Sequence, residues 1–284
     1  MVSGAVSMRL TIPFPGAGRR RTARADAVVT GAGSGIGRAF ALEIARRGGR
    51  VVCADIDEAT AKETAEMIGE RALARHCDVA SFEEVDELAD AAEEWFGKPA
   101  DLVVNNAGIG AGGVVIGELP LELWRKTIDV NLWGVIHGCH VYAPRMRAAG
   151  RGGIINVGSA ASFAAAPRMG AYSVSKAAVL ALSETLAAEL SGTGVGVTVL
   201  CPTFVKTNIV NPDTIDGAAA RLATMAMKWT GVSADSVARS ALDALDRGQL
   251  YVVPQLDAKV IWQSKRLLPG TYTRALGIVE RIAR

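Results

Sequence analysis

Along most of the chain, short apolar runs alternate with longer stretches in which apolar residues return every three or four positions. The runs Ala25 to Gly31 (ADAVVTG), Arg50 to Asp55 (RVVCAD), Ala72 to Val79 (ALARHCDV) and Asp101 to Asn105 (DLVVN) read as buried strands. A run beginning at Ile154, Val195 to Cys201 (VGVTVLC) and Leu250 to Val253 continue the series. Helical patterns lie between them: one leading from Gly37 to Gly48, then Asp57 to Gly69, Phe82 to Phe96, Leu119 to Arg147, Ala171 to Leu190, and Ser233 to Arg247 with Ser233 as N-cap. Strands without polar alternation are covered on both faces, and their regular exchange with helices predicts a doubly wound parallel sheet. No linker divides the pattern, so one α/β domain spans residues 25–254.

Both ends depart from it. Residues 1–24 carry Pro13, Pro15 and the cations Arg19, Arg20, Arg21 and Arg24, with no separate apolar segment and cleavage site, and read as a disordered or loosely docked arm. In residues 255–284, Lys259, Lys265, Arg266, Arg274, Arg281 and Arg284 alternate with Val260, Ile261, Trp262, Leu267, Leu268, Leu276, Ile278 and Val279. Such a basic amphipathic surface can lie on an anionic membrane or pack against a neighbouring subunit. Pro269 and Gly270 split it into short halves, which favours packing.

Composition narrows the partners. A chain of 284 residues with 50% hydrophobic and 21% charged residues is globular, and a formal charge of +2 gives no drive toward nucleic acid. Cys53, Cys77, Cys139 and Cys201 form no CxxC pair, and three lie in strand-like runs, which suggests reduced thiols in the cytoplasm. No apolar stretch reaches the roughly 18 residues of a membrane span.

Candidate chemistry gathers around three places. Tyr172 and Lys176 are four residues apart, one turn of a helix, so an ammonium beside the phenol would pull its pKa down from about 10 toward the range of a general acid/base. Ser159, 13 positions earlier at the end of a strand, could return its hydroxyl to the same cluster. The glycines Gly31, Gly33, Gly35 and Gly37 between a strand and a helix would admit a pyrophosphate at the helix N-terminus. Asp55 closes the next strand 18 residues past Gly37, where it would accept from a ribose 2′-hydroxyl and repel a 2′-phosphate, favouring NAD over NADP. Asn106, Ala107 and Gly108 form a small turn suited to a flat ligand, and Asn131 is an amide among apolar residues that requires a bonded partner. His137 and His140, with no carboxylate nearby, read as interface or surface residues, and no metal site is predicted. Met225, Met227 and Trp229 either cap an apolar substrate or pack in the core.

Together these residues resemble the short-chain dehydrogenase/reductase family. Thr30 to Gly37 (TGAGSGIG) is similar to its TGxxxGIG motif, Asn105 to Gly108 (NNAG) to its structural turn, and Tyr172 to Lys176 (YSVSK) to its YxxxK motif. Ser159 stands at the family's spacing and Asn131 in its DVN. The resemblance covers Asp26 to Val253 and implies a Rossmann-like domain with a seven-stranded parallel sheet, acting as a homodimer or homotetramer. It implies a tetrad in which Tyr172 is the general acid/base, Ser159 polarises the substrate oxygen, Lys176 holds the nicotinamide ribose and Asn131 positions a relay water. It further implies cofactor contacts from Gly31, Ser34, Gly35, Ile36 and Gly37; from Asp55 and Ile56; from Cys77, Asp78 and Val79; and from Asn105, Asn106, Ala107 and Gly108. Tyr172, Lys176, Pro202, Val205 and Thr207 complete the set. One departure is Thr203 where the family has glycine; a side chain there resists positive φ, so the turn should differ. The expected activity is hydride transfer between NAD and a secondary alcohol or ketone of a small, apolar substrate. A non-catalytic NAD-sensing protein is disfavoured by the intact tetrad. An epimerase or dehydratase of the wider superfamily is disfavoured by the glycine spacing and the lack of a large C-terminal substrate domain.

Overall fold

The computed structural model describes residues 20–203, 205 and 232–282. The alternation read from the sequence appears as β1 (Asp26–Thr30), α1 (Gly35–Arg46), β2 (Arg50–Asp55), α2 (Glu58–Ile68), β3 (Ala72–His76), α3 (Phe82–Phe96) and β4 (Leu102–Asn105). The second half runs α4 (Leu121–Ile128), a π-helical turn (Asp129–Trp133), α5 (Gly134–Ala149), β5 (Gly152–Val157), the short α6 (Ala161–Ala164), α7 (Gly170–Glu189) and β6 (Val195–Leu200). It closes with α8 (Ala234–Asp246), β7 (Tyr251–Val252), α9 (Leu256–Leu267) and α10 (Pro269–Ile282).

All seven strands are parallel, in the order β3-β2-β1-β4-β5-β6-β7. The chain winds outward from β1 to one edge, returns to place β4 on the other side of β1, and winds to the opposite edge. The connections after β1 and β4 therefore part in opposite directions, opening a crevice at the carboxyl ends of these strands. On one face Val28, Val52 and Val103 meet Val85 and Leu88 of α3, Tyr142 and Met146 of α5, and Val179 and Leu186 of α7. On the other, Val29, Val51 and Val104 meet Phe40 and Ile44 of α1 and Leu242 and Leu245 of α8. Each large side chain buried this way stabilises the fold by about 1.5–3 kcal/mol relative to exposure.

Helix starts follow their caps. The Asp57 carboxylate accepts from Ala59 and Thr60, Ser81 Oγ from the Glu84 N–H, and Ser233 Oγ from the Ser236 N–H. Two boundaries differ from the sequence expectation. β3 stops at His76 rather than Val79, because the Asp78 N–H goes to Glu84 Oε2 and its carbonyl to the Ser81 N–H, so a turn replaces the ladder. The helix expected over 119–147 is three segments with a π turn in the middle. The C-terminal pattern does break at Pro269, giving α9 and α10.

Near the start of the described residues, Thr22 is fully buried and bonds the Asp246 carboxylate through its N–H (3.0 Å) and hydroxyl (2.7 Å). All four cysteines are free and buried. No helix among the described residues is long and apolar enough to cross a membrane. Residues 1–19 of the expected arm, and Thr207, Met225, Met227 and Trp229, lie outside the described residues.

Candidate active site

The crevice is lined first by backbone. Gly31 follows β1 with φ +64°, and an added Cβ there would lie 2.8 Å from Asn106 Nδ2 and 2.9 Å from Ala107 Cα. At Gly37 an added Cβ would lie 1.9 Å from the Gly31 carbonyl oxygen. Only glycine lets α1 and the turn after β4 close on the end of β1 in this way. Thr30 Oγ1 accepts from the N–H groups of Asn106 (3.0 Å) and Ala107 (3.2 Å), while Asn106 Nδ2 donates to the Thr30 carbonyl (2.8 Å). Unlike the starts of α2, α3 and α8, the start of α1 has no side-chain cap: exposed Ser34 makes no capping bond, and no acidic residue stands in the first turn. Its uncapped N–H groups and the positive end of the helix make a site for an anionic group.

Asp55 borders this cradle. Its carboxylate accepts from the N–H groups of Gly33 (2.8 Å) and Asp57 (3.1 Å), which hold it at the end of β2. Ile56 beside it is 64% exposed, an apolar surface open at the cradle's rim. Arg38 is engaged elsewhere: it donates to Thr64 Oγ1, to the Gly33 carbonyl and to Glu63.

Across the crevice the lining is side chains. Asn131 sits in the π turn, fully buried, with Oδ1 accepting from the Ile109 N–H (2.7 Å) and Nδ2 donating to the Ile109 carbonyl (2.8 Å). The wider turn carries this amide inward, and the two bonds fix the loop after β4. Lys176 on α7 is buried with Nζ donating to the Val157 carbonyl at the end of β5 (2.9 Å). A Cβ added at Gly108 would lie 3.1 Å from Asn131 Oδ1 and 3.4 Å from Lys176 Nζ, so this glycine leaves open the space between the amide and the amine. Ser159 follows β5, with Oγ accepting from the Ala161 N–H (3.2 Å).

The expected electrostatics of the Tyr172–Lys176 pair is corrected. Lys176 Nζ is 5.9 Å from the centre of the Tyr172 ring and is bonded to Val157 instead. Burial dominates: it raises the Tyr172 phenol above its ordinary value, against a smaller lowering by a hydrogen bond with Ser159. Burial also lowers Lys176 to about 8, since a charged amine held by one neutral carbonyl loses more hydration than it regains.

The structure thus brings Gly31, Ser34, Gly35, Ile36, Gly37, Asp55, Asn106, Ala107 and Gly108 to one side of the crevice, and Asn131, Ser159, Tyr172 and Lys176 to the other. Asn105 is not brought to it: its amide is buried in the sheet and donates to Asn156 Oδ1 (2.8 Å), tying β4 to β5. Cys77 and Val79 are likewise buried, and Asp78 turns back to the Ala80 N–H. Val205 is buried and bridges to Val232. Thr203 stays out of the left-handed region; its N–H donates to Gln255 Oε1 (3.2 Å), so the turn after β6 is held without glycine. His137 bonds the Val79 carbonyl (3.0 Å) and, with exposed His140, packs on Phe82 at the surface. Two supports escaped the sequence reading. Ser175 Oγ accepts from Asn131 Nδ2, and Ser162 Oγ donates to the Lys176 carbonyl while accepting from the Ser159 N–H. Small polar residues beside the motif were the available signal.

A glycine cradle at the switch point of a seven-stranded parallel sheet, with a carboxylate closing β2, defines a Rossmann-like nicotinamide-dinucleotide-binding domain. The short chain dehydrogenase family model matches residues 25–216, and the chain belongs to that family. A probable oxidoreductase EphD of Mycobacterium bovis is 39% identical over 256 residues, 85% of this chain but only 43% of the relative, so the chain spans less than half of that protein. The 1-deoxy-11-beta-hydroxypentalenate dehydrogenase of Streptomyces exfoliatus is 38% identical over 82% of this chain and 84% of its own. A short chain dehydrogenase/reductase from Burkholderia phymatum, solved in complex with NAD, superposes with a TM-score of 0.79 at 35% identity, covering 84% of this chain and 92% of that one.

Proposed function

We propose that the protein is an NAD(H)-dependent oxidoreductase acting on the secondary alcohol or ketone carbon of an apolar small molecule. What supports the reading above all is the meeting of two unlike surfaces across one crevice: the uncapped glycine cradle with Asp55, and the buried polar group of Asn131, Ser159, Tyr172 and Lys176. The residues present fit a dinucleotide, because the cradle admits no side chain at Gly31 or Gly37 and offers free N–H groups to a pyrophosphate. Asp55 would accept from the adenosine ribose, and Ile56 would cover the adenine. When bound, the nicotinamide donates or accepts the hydride.

The chain's own residues handle the proton. Ser159 Oγ hydrogen-bonds the substrate oxygen, and Tyr172 gives that oxygen a proton in reduction or takes one in oxidation. Lys176, held by the Val157 carbonyl, would hold the nicotinamide ribose, and its charge beside the bound cofactor would favour the phenolate. The open space at Gly108 between Asn131 and Lys176 suits a relay water. The preference for NAD rests on the fixed Asp55 carboxylate, which repels a 2′-phosphate, and on the engagement of Arg38 by Glu63. The exposed Phe82 and Trp133 on the helical face support self-association into a dimer or tetramer, and four free thiols support a cytoplasmic setting.

Titration with NADH and NADPH, followed by nicotinamide fluorescence, tests the cofactor half. NADH should bind at least about 10-fold tighter, and Asp55→Ala should erase the difference. Tighter binding of NADPH overturns the preference, and binding of neither overturns the assignment.

A further inference from the structure

We infer that the α9–α10 helix pair docks the protein on an anionic lipid surface. Residues 256–284 hold six cations against two carboxylates, a net +4 in a chain whose total is +2, so everything before them is net −2. The structure sorts these charges. Both carboxylates turn to the body: Asp257 accepts from Thr203 Oγ1 (3.3 Å), and Glu280, 16% exposed, takes a bidentate grip from Arg168 (Nε–Oε1 3.1 Å, Nη2–Oε1 3.0 Å). Lys259, Arg266, Arg274 and Arg281 are exposed.

Apolar residues accompany these cations. Of the fifteen large hydrophobic residues exposed among the described residues, six lie on these two helices, among them Leu267 (72%), Val279 (61%) and Ile282 (80%), and a seventh, Leu268, joins them. α10 buries no residue at all, whereas α9 anchors the pair through buried Ala258 and through Trp262, whose ring stacks on Phe163 at 5.7 Å. The two helices are therefore fixed to the body through α9 and through Glu280, and they leave aliphatic side chains interspersed with cations exposed.

That combination matches an interface with aliphatic chains below and phosphate or carboxylate groups above, where long basic side chains reach the headgroups while their neighbours enter the hydrocarbon edge. A second copy is a poorer occupant, since a two-fold contact would set four cations against four. Expectation from sequence favoured subunit packing because Pro269 divides the segment. The fold removes that objection, because Val260 and Leu267 of α9, Leu268 at the junction and Tyr272 of α10 line one shared groove.

Sedimentation of the full chain with vesicles of phosphatidylcholine, alone or mixed with phosphatidylserine, tests the proposal. Binding should require phosphatidylserine and weaken as salt rises. Replacing Lys259, Arg266, Arg274 and Arg281 together with glutamine should weaken it about 100-fold or more, leaving circular dichroism and NADH binding unchanged. Leu267→Ser with Ile282→Ser should also weaken it, by a loss that persists at high salt. No binding to anionic vesicles, or equal binding of the glutamine variant, overturns the proposal. So does concentration-dependent self-association that the glutamine variant alone loses, which would assign the face to another copy.

Discussion

The two walls of the crevice are made of different material. On the β1–β2 side the shape is set by what is missing: an added Cβ at Gly37 would sit 1.9 Å from a carbonyl oxygen, and Ser34 leaves the helix start uncapped. On the β4–β5 side it is set by side chains that the interior would otherwise exclude, an amide and an amine held in place by the backbone of Ile109 and Val157. The first wall would receive a ligand by fit and backbone dipole, at little cost in buried polarity. The second holds an amide and an amine away from water, and that arrangement opposes stability.

The largest effect that separates them is expected at Tyr172. Tyr172→Phe should lower turnover of secondary alcohols by about 10²–10⁴-fold while leaving NADH affinity within about 2-fold of wild type, as measured by steady-state kinetics beside fluorescence titration. A variant that kept most of its turnover would sink the proton-transfer role.

Lys176 should show the opposing stability. Its folded pKa of about 8 lies below the ordinary 10.5, so below pH 8 the folded state carries a charged amine that it binds less well than the unfolded chain does. The sign follows: this group's contribution to stability improves as pH rises from about 8 to 10.5. Lys176→Met should therefore raise stability at neutral pH by on the order of 2 kcal/mol, and the gain should fade across that window in denaturant titrations. A gain independent of pH would mean that packing, not charge, was relieved.

The smallest effect belongs to the first wall. Ser34→Ala should change stability by less than about 0.5 kcal/mol, because no capping bond is lost, whereas Ser81→Ala should cost about 1 kcal/mol. Equal losses in thermal unfolding would mean that Ser34 caps α1 after all.

The first wall was the more legible in the sequence, for a physical reason. Glycine spacing and a strand-ending aspartate are local, and so is the cap at Ser233, so the residues alone place them. The second wall was legible in its members but not in its geometry. Asn131 stood out as an amide among apolar residues, yet the π turn that aims it inward adds one residue of winding and leaves no compositional trace. The distance from Lys176 to the phenol, and its bond to Val157, depend on how α7 settles against β5. Contacts such as Thr22 with Asp246 join positions 224 residues apart, and no pattern within either segment announces them.

The buried cysteines give the molecule a clock. Burial pushes the thiols of Cys53, Cys77 and Cys139 up to about 12 and that of Cys201 to about 11, so in the native state almost none exists as the reactive thiolate. An alkylating reagent must wait for the surrounding layers to part. Cys53 lies within β2, one strand in from the sheet's edge, and Cys201 just past β6 near the crevice, so the order in which they become labelled records which part of the protein opens first, in minutes and hours instead of free energy.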